Sequence, residues 1–139
     1  MASKYLIDIN VCLDALLKRK KFWHDAGLIF QAAEEGNIQA AVSAVSYSTI
    51  FYFARSEYGS KDAITRIRAF RELTHISTVD KTIVDGALKS GWKDFEDAVQ
   101  YYCAIHNDCN GIITRNRKDF KKGNNISILS PAEFISNHL

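Results

Sequence analysis

Carboxylates recur at three separated places in this chain, each time beside other oxygen-bearing side chains. The first is "KYLIDINVCLDALL" (4–17), where the apolar run Tyr5, Leu6, Ile7 ends on Asp8, with Asn10 and Asp14 close behind. The second is "KDFEDAVQYYCA" (93–104), where Asp94 and Asp97 are spaced to share one helix face. The third is "GIITRNRKDF" (111–120), whose apolar start leads into Thr114, Asn116 and Asp119. Hard oxygen donors suit Mg2+ or Mn2+, which keep several waters and need few protein carboxylates. Such an ion can activate water and neutralise charge on a phosphodiester. Without one, clustered carboxylates repel one another, and at least one keeps its proton to unusually high pH.

Each segment also has a plainer reading. Asp94 can act as a helix N-cap, and acids in a first helical turn complement the helix dipole. Residues 114–119 can be a polar loop of Asx turns. Taken singly, these readings suffice. Taken together, acids at three strand-to-helix junctions or helix starts favour one shared site. His24, His75, His106 and His138 show no zinc-like spacing with the cysteines, and there is no glycine-rich phosphate loop.

The elements needed to bring the acids together are readable from pattern. Residues 4–8 predict a buried strand, and Asn10 can cap a helix over 11–19. A helix over 22–35 stops at Gly36-Asn37. "IQAAVS" (38–43) predicts a strand, followed by a helix from Ser46 to Tyr58 that Gly59 ends. A helix over 61–73, a strand at 75–78, and helices over 80–90 and 95–107 come next. Phe95, Ala98, Val99 and Tyr102 form the expected core-facing stripe of the last of these. Strands at 111–115 and 126–129 precede a final helix opened by Pro131. Strands separated by helices imply a parallel sheet covered on both faces, with sites just past the carboxyl ends of the strands. Asp8 then sits at an edge of the sheet and need not be buried in the core.

Bulk properties narrow the class. The 139 residues, 47% apolar and 24% charged, suit one domain over 1–139, and one proline with seven glycines argues against a long linker. A net charge of +2 gives no global basic field. Two local basic runs stand out: Lys18-Arg19-Lys20-Lys21, and Arg115, Arg117, Lys118, Lys121 and Lys122. They are either solvated surface or phosphate contacts. The odd cysteine count gives no disulfide framework, and Cys12 and Cys103 read as small buried hydrophobes. No stretch approaches the roughly 20 apolar residues of a membrane span, so the expectation is a cytoplasmic protein off the membrane.

Four segments, "YLIDINVCLDALL", "VSAVSYSTIFYFAR", "DFEDAVQYYCA" and "IITRNRKDF", occur in the order and spacing of a PIN domain. They resemble the bacterial branch that includes the VapC-type toxins, from Lys4 to about Ser130. The resemblance implies an α/β/α sandwich with a central, mostly parallel sheet. It implies a Mg2+- or Mn2+-dependent endoribonuclease, the toxin of a toxin–antitoxin pair. Carried over by position, Asp8, Asp97 and Asp119 would be the catalytic, metal-binding acids, with Asp94 a further ligand. Asn10, Thr49, Thr114 and Asn116 would support them. Arg115, Arg117, Lys118, Lys20 and Lys21 would hold the RNA backbone, with Tyr101 and Tyr102 weighed as base-stacking rings and Tyr102 assigned to the core. The expected partners are an RNA substrate, a protein antitoxin and a second copy of the chain.

One departure separates the chain from the family pattern. A glutamate is usual early in the helix after the second strand, and here Thr49 occupies that place, with Glu57 two turns further on. A hydroxyl is a weak neutral ligand. The alternative is therefore a weakened or inactive PIN domain that binds RNA or protein. A phosphatase using Asp8 as nucleophile is a poorer fit, because the partner aspartate two residues on is Asn10.

Overall fold

The computed structural model describes residues 2–120, 123 and 125–139. The order of elements is β1 (Ser3–Ile7), α1 (Ile9–Leu16), α2 (Trp23–Glu34), β2 (Ile38–Ser43), α3 (Ala44–Tyr58), α4 (Ser60–Leu73) and β3 (Thr74–Ser77). These are followed by α5 (Lys81–Lys89), α6 (Phe95–His106), β4 (Gly111–Ile113), a 3-10 turn (Arg117–Phe120), β5 (Ser127–Leu129) and α7 (Pro131–His138). The strands form one five-stranded sheet in the order β3-β2-β1-β4-β5. Every pairing is parallel, as the alternation of strands and helices predicts. No described helix is long and apolar enough to cross a membrane.

Side-chain alternation along the strands divides the core in two. Tyr5, Ile7, Ala40, Val42 and Ile113 face one way and pack with residues of α1, α2, α3, α4 and α7. Leu6, Ala41 and Ile112 face the other way and pack with α5 and α6. The result is an α/β/α sandwich. Asp8 continues the alternation from Leu6 and therefore points to the α6 side, where its hydrogen-bond partner Gln100 lies. The expected stop at Gly36 holds, with a φ of 80° that favours glycine. Gly111 serves a different need: a Cβ there would lie 2.7 Å from the Ser127 carbonyl oxygen on the neighbouring strand.

Several boundaries differ from the sequence reading. Asp8, not Asn10, occupies the N-cap position of α1, yet its side chain makes no capping bond because other partners hold it. The α3 helix starts at Ala44, before Ser46, because Ser43 already turns the chain out of β2. The β4 strand ends at Ile113, which leaves Thr114 and Arg115 free to point into the sheet edge. The stripe on α6 keeps Ala98 and Val99 buried and Tyr102 packed on the core, as expected, but not Phe95. Phe95 is 49% exposed, and Tyr101 rather than Tyr102 is the more deeply buried tyrosine. Tyr101 packs on Trp92, with ring centroids 5.0 Å apart.

Candidate active site

The site begins at Asp8, where β1 hands over to α1. Its main-chain N–H donates to the Ile113 carbonyl at 3.0 Å, fixing the end of β1 to β4. Its carboxylate is 5% exposed. Gln100 Nε2 donates to Asp8 Oδ1 at 2.9 Å, and Thr114 Oγ1 donates to Asp8 Oδ2 at 2.7 Å. The Thr114 oxygen in turn accepts from the Asn116 N–H at 3.1 Å. Three elements thus converge on one buried carboxylate: β1, α6 and the segment after β4. Sequence reading missed Gln100. Its signal was its spacing from Asp97, which puts both near one face of α6, but a glutamine on an apolar stripe does not announce a role.

Asp97 lies in the first turn of α6 and is half-buried. Its carboxyl is pushed up to about 7, first by burial and then by the negative charges of Asp94, Asp8, Asp119 and Glu96. The same neighbours therefore lie within electrostatic reach of it. The Glu96 carboxyl is also raised, by burial, then by Asp94 and Asp8. Glu96 was not among the sequence candidates, although its place inside "DFED" could have flagged it. Asp94 has the plainer role that its position suggested, since its Oδ1 accepts from the Asp97 N–H at 3.1 Å and caps α6. Asp119 sits in the 3-10 turn, whose backbone is closed by its own N–H donating to the Asn116 carbonyl.

Asn10 accepts from Arg19 Nη1 at 3.2 Å. Thr49 is half-buried on α3, a turn beyond the fully buried Ser46. The Ser43 and Ser46 hydroxyls and Gln100 Oε1 are buried and have no hydrogen-bond partner among the described residues. Buried polar atoms of this kind call for water or a ligand.

The basic residues divide. Lys20, Lys21 and Lys118 are exposed. Arg117 Nη1 pairs with Glu133 Oε2 at 3.2 Å on the surface. Arg115 is committed elsewhere. Its Nε and Nη2 bind the buried Asp14 carboxylate at 2.8 and 3.3 Å, and its guanidinium lies 3.8 Å above the Phe22 ring. Lys121 and Lys122 of the second basic run lie outside the described residues. Base stacking by Tyr101 is ruled out by its burial at 5% exposure, and Tyr102 packs against the same core. Cys12 and Cys103 are buried, as expected of small hydrophobes, and burial pushes both thiols up.

The arrangement can be tested for its fit to a divalent cation. No set of three His, Cys, Asp or Glu side chains among the described residues forms a ready cage for an ion. Both oxygens of Asp8 already accept hydrogen bonds. Yet the donor set is all hard oxygen, and the raised Asp97 carboxyl reports crowding that a cation would relieve. The unpartnered Gln100 Oε1 adds a buried acceptor beside Asp8. These residues fit an ion bound through few direct ligands and several waters.

A parallel sheet with helices on both faces and acids at its carboxyl-terminal edge defines a broad class of α/β proteins. The sequence profile of the PIN domain matches residues 4–118, and the chain belongs to that family. Its fold is similar to chains in three solved assemblies. One is VapBC2 from Rickettsia felis bound to a DNA fragment from their promoter, at 16% identity and TM-score 0.67, covering 91% of this chain and 98% of that one. A toxin–antitoxin complex from Klebsiella pneumoniae matches at 23% identity and TM-score 0.68, covering 91% and 97%. DNA-bound VapBC from Salmonella typhimurium matches at 14% identity and TM-score 0.69, covering 94% and 99%. No curated protein matches the chain by sequence.

Proposed function

We propose that this PIN domain is a Mg2+- or Mn2+-dependent endoribonuclease and the toxin of a toxin–antitoxin pair. The observation that carries the reading is the buried Asp8 carboxylate at the end of β1, on which α6 and the segment after β4 converge through Gln100 and Thr114, while burial and then the charges of Asp94, Asp8, Asp119 and Glu96 push the Asp97 carboxyl up to about 7. Such crowding is costly in a surface that does nothing with it. Asp8, Asp97 and Asp119 would hold the cation, with Asp94 at its margin. When bound, the cation supplies charge neutralisation at the phosphodiester and a more acidic water.

The chain's own residues do the rest. Gln100 and Thr114 hold the Asp8 carboxylate in one orientation from two sides. Asn116 fixes the Thr114 oxygen through its main-chain N–H. Asp97 would hold its proton in the free protein at neutral pH and give it up to a bound cation. Lys20, Lys21 and Lys118 face solvent and would contact RNA phosphates, giving salt-sensitive binding. The toxin–antitoxin assemblies of similar fold suggest a protein antitoxin as partner. The chain would act as one PIN unit, as a homodimer, in the cytoplasm.

A second reading is favoured by one observation. Thr49 stands where the family pattern has an acid, which would lower cation affinity. On that reading the chain binds RNA or protein without cleaving. The deciding experiment is cleavage of a single-stranded RNA with Mn2+, Mg2+ or EDTA, comparing wild type with Asp97→Asn. Cleavage that needs the metal and is lost in the variant supports the enzyme. Metal-independent cleavage, or none at all, rejects it.

A further inference from the structure

We propose that the segment joining α1 to α2 is a single-strand reading platform, on which Trp23 stacks an unpaired nucleobase of RNA while Lys20 and Lys21 meet its phosphates. This deepens the ribonuclease reading and rests on it for the identity of the ligand. The stretch "KRKKFWH" (18–24) places four cations directly before an aromatic pair. Phe22 is 38% and Trp23 45% exposed. Trp23 opens α2, and its ring meets the edge of His24 at 5.6 Å.

The segment is tied to the acidic edge from two directions. Arg19 Nη1 donates to Asn10 Oδ1 at 3.2 Å and pairs with Asp14 at 3.5 Å. From the other side, Arg115 grips Asp14 and lies over Phe22. Arg115 directly follows Thr114, whose hydroxyl holds Asp8. The bridge spends Arg115 on fixing the loop and leaves Trp23 as the more open aromatic of the segment. Phe22 has one face covered by the guanidinium, so it supports the loop rather than the ligand.

Charge chooses the occupant. Asp25 is the only acid in residues 15–33, against Lys18, Lys20 and Lys21, with Arg19 already paired to Asp14. That balance suits a polyanion, and an accessible indole suits a ligand whose π-faces are free. Single-stranded RNA has both properties, whereas a duplex hides its base faces in the stack.

The test measures binding in EDTA, where no cleavage occurs, using a short labelled single-stranded RNA and a duplex of the same length. Trp23→Ala should weaken single-strand binding about tenfold, the scale of one stacked base. Trp23→Phe should keep most of the affinity, and Leu88→Ala, at an exposed position on α5, should change nothing. Duplex binding should be unmoved by either Trp23 variant. If Trp23→Ala binds the single strand as tightly as wild type, the proposal fails and the face is better assigned to a protein partner. Equal losses for both RNAs also overturn it, since charge alone would then explain the binding. Restoring Mn2+ tests the other reading separately: single-strand binding that depends on Trp23, with no cleavage, upholds the platform and rejects the nuclease.

Discussion

Asp8 is held by two donors and Gln100 by one acceptor, so each can be probed by single replacements. Gln100→Leu keeps the bulk of the side chain and strips Asp8 Oδ1 of its buried donor. It should cost about 2 kcal/mol in urea unfolding, the scale of a hydrogen bond to a charged group lost with its partner left buried. Asp97 behaves in the opposite sense. Its carboxyl holds a proton more tightly folded than unfolded, with the ordinary 3.8 raised to about 7. Folding therefore takes up a proton between those values. The stabilisation is full below 3.8 and is lost as pH rises through about 7. In metal-free buffer, stability should fall across that window, and Asp97→Asn should flatten the fall while leaving the neutral-pH fold as stable or slightly more so. A loss of about 1 kcal/mol or more in Asp97→Asn would instead mean that its charge serves the helix dipole. Thr49 is tested by a pair of replacements. Thr49→Glu should tighten Mn2+ binding and speed cleavage at low metal, while Thr49→Gln should not. Equal behaviour of the two in calorimetric titration would show that position 49 does not face the ion.

At the scale of elements, α6 carries two duties at its first turn. Asp94 caps the helix through the Asp97 N–H, and its charge also raises the Asp97 carboxyl. The two duties separate chemically. Asn retains a capping oxygen and loses the charge. Asp94→Asn should hold the thermal stability within a few degrees and bring the Asp97 titration down from about 7, as followed by carbon-detected NMR. Asp94→Ala should lose the cap and cost about 1 kcal/mol. An unchanged Asp97 titration in both variants would mean that burial and the other acids, not Asp94, set it. The α1–α2 connection is the other element with two jobs. It closes over Asp14, a carboxylate 1% exposed, and the two arginines that pair with it set where the basic and aromatic residues project.

At the scale of the molecule, cation binding and stability must be linked. A ligand at a hundredfold its Kd stabilises the folded state by about 2.7 kcal/mol if it ignores the unfolded chain. Saturating Mn2+ should therefore raise the melting temperature of wild type and leave that of Asp97→Asn unmoved. Binding at the proposed site would displace the Asp97 proton, so the apparent affinity should climb as pH rises toward about 7 and then level off. An affinity indifferent to pH over that range would place the ion away from Asp97.

The pattern of the chain alone determined the layering. Short apolar strands with helices between them leave a parallel, two-sided sheet as the economical way to bury both faces, and the sheet has that form. Sequence also marked Asp8, Asp97 and Asp119, because acids that follow apolar strands or open helices have few places to go but the sheet edge. It left Gln100, Glu96 and the Arg115–Phe22 contact unseen. Gln100 lies 92 residues from Asp8, and no local rule connects a glutamine on one helix to a carboxylate on a distant strand. Arg115 read as a free cation because its partner Asp14 is 101 residues away. Periodicity reports which face of an element is buried but not what lies opposite, and that misplaced Phe95 and Tyr101 of α6. Which polar group meets which, and so which charges are spent on structure and which are left for a ligand, was decided only when the strands were laid side by side.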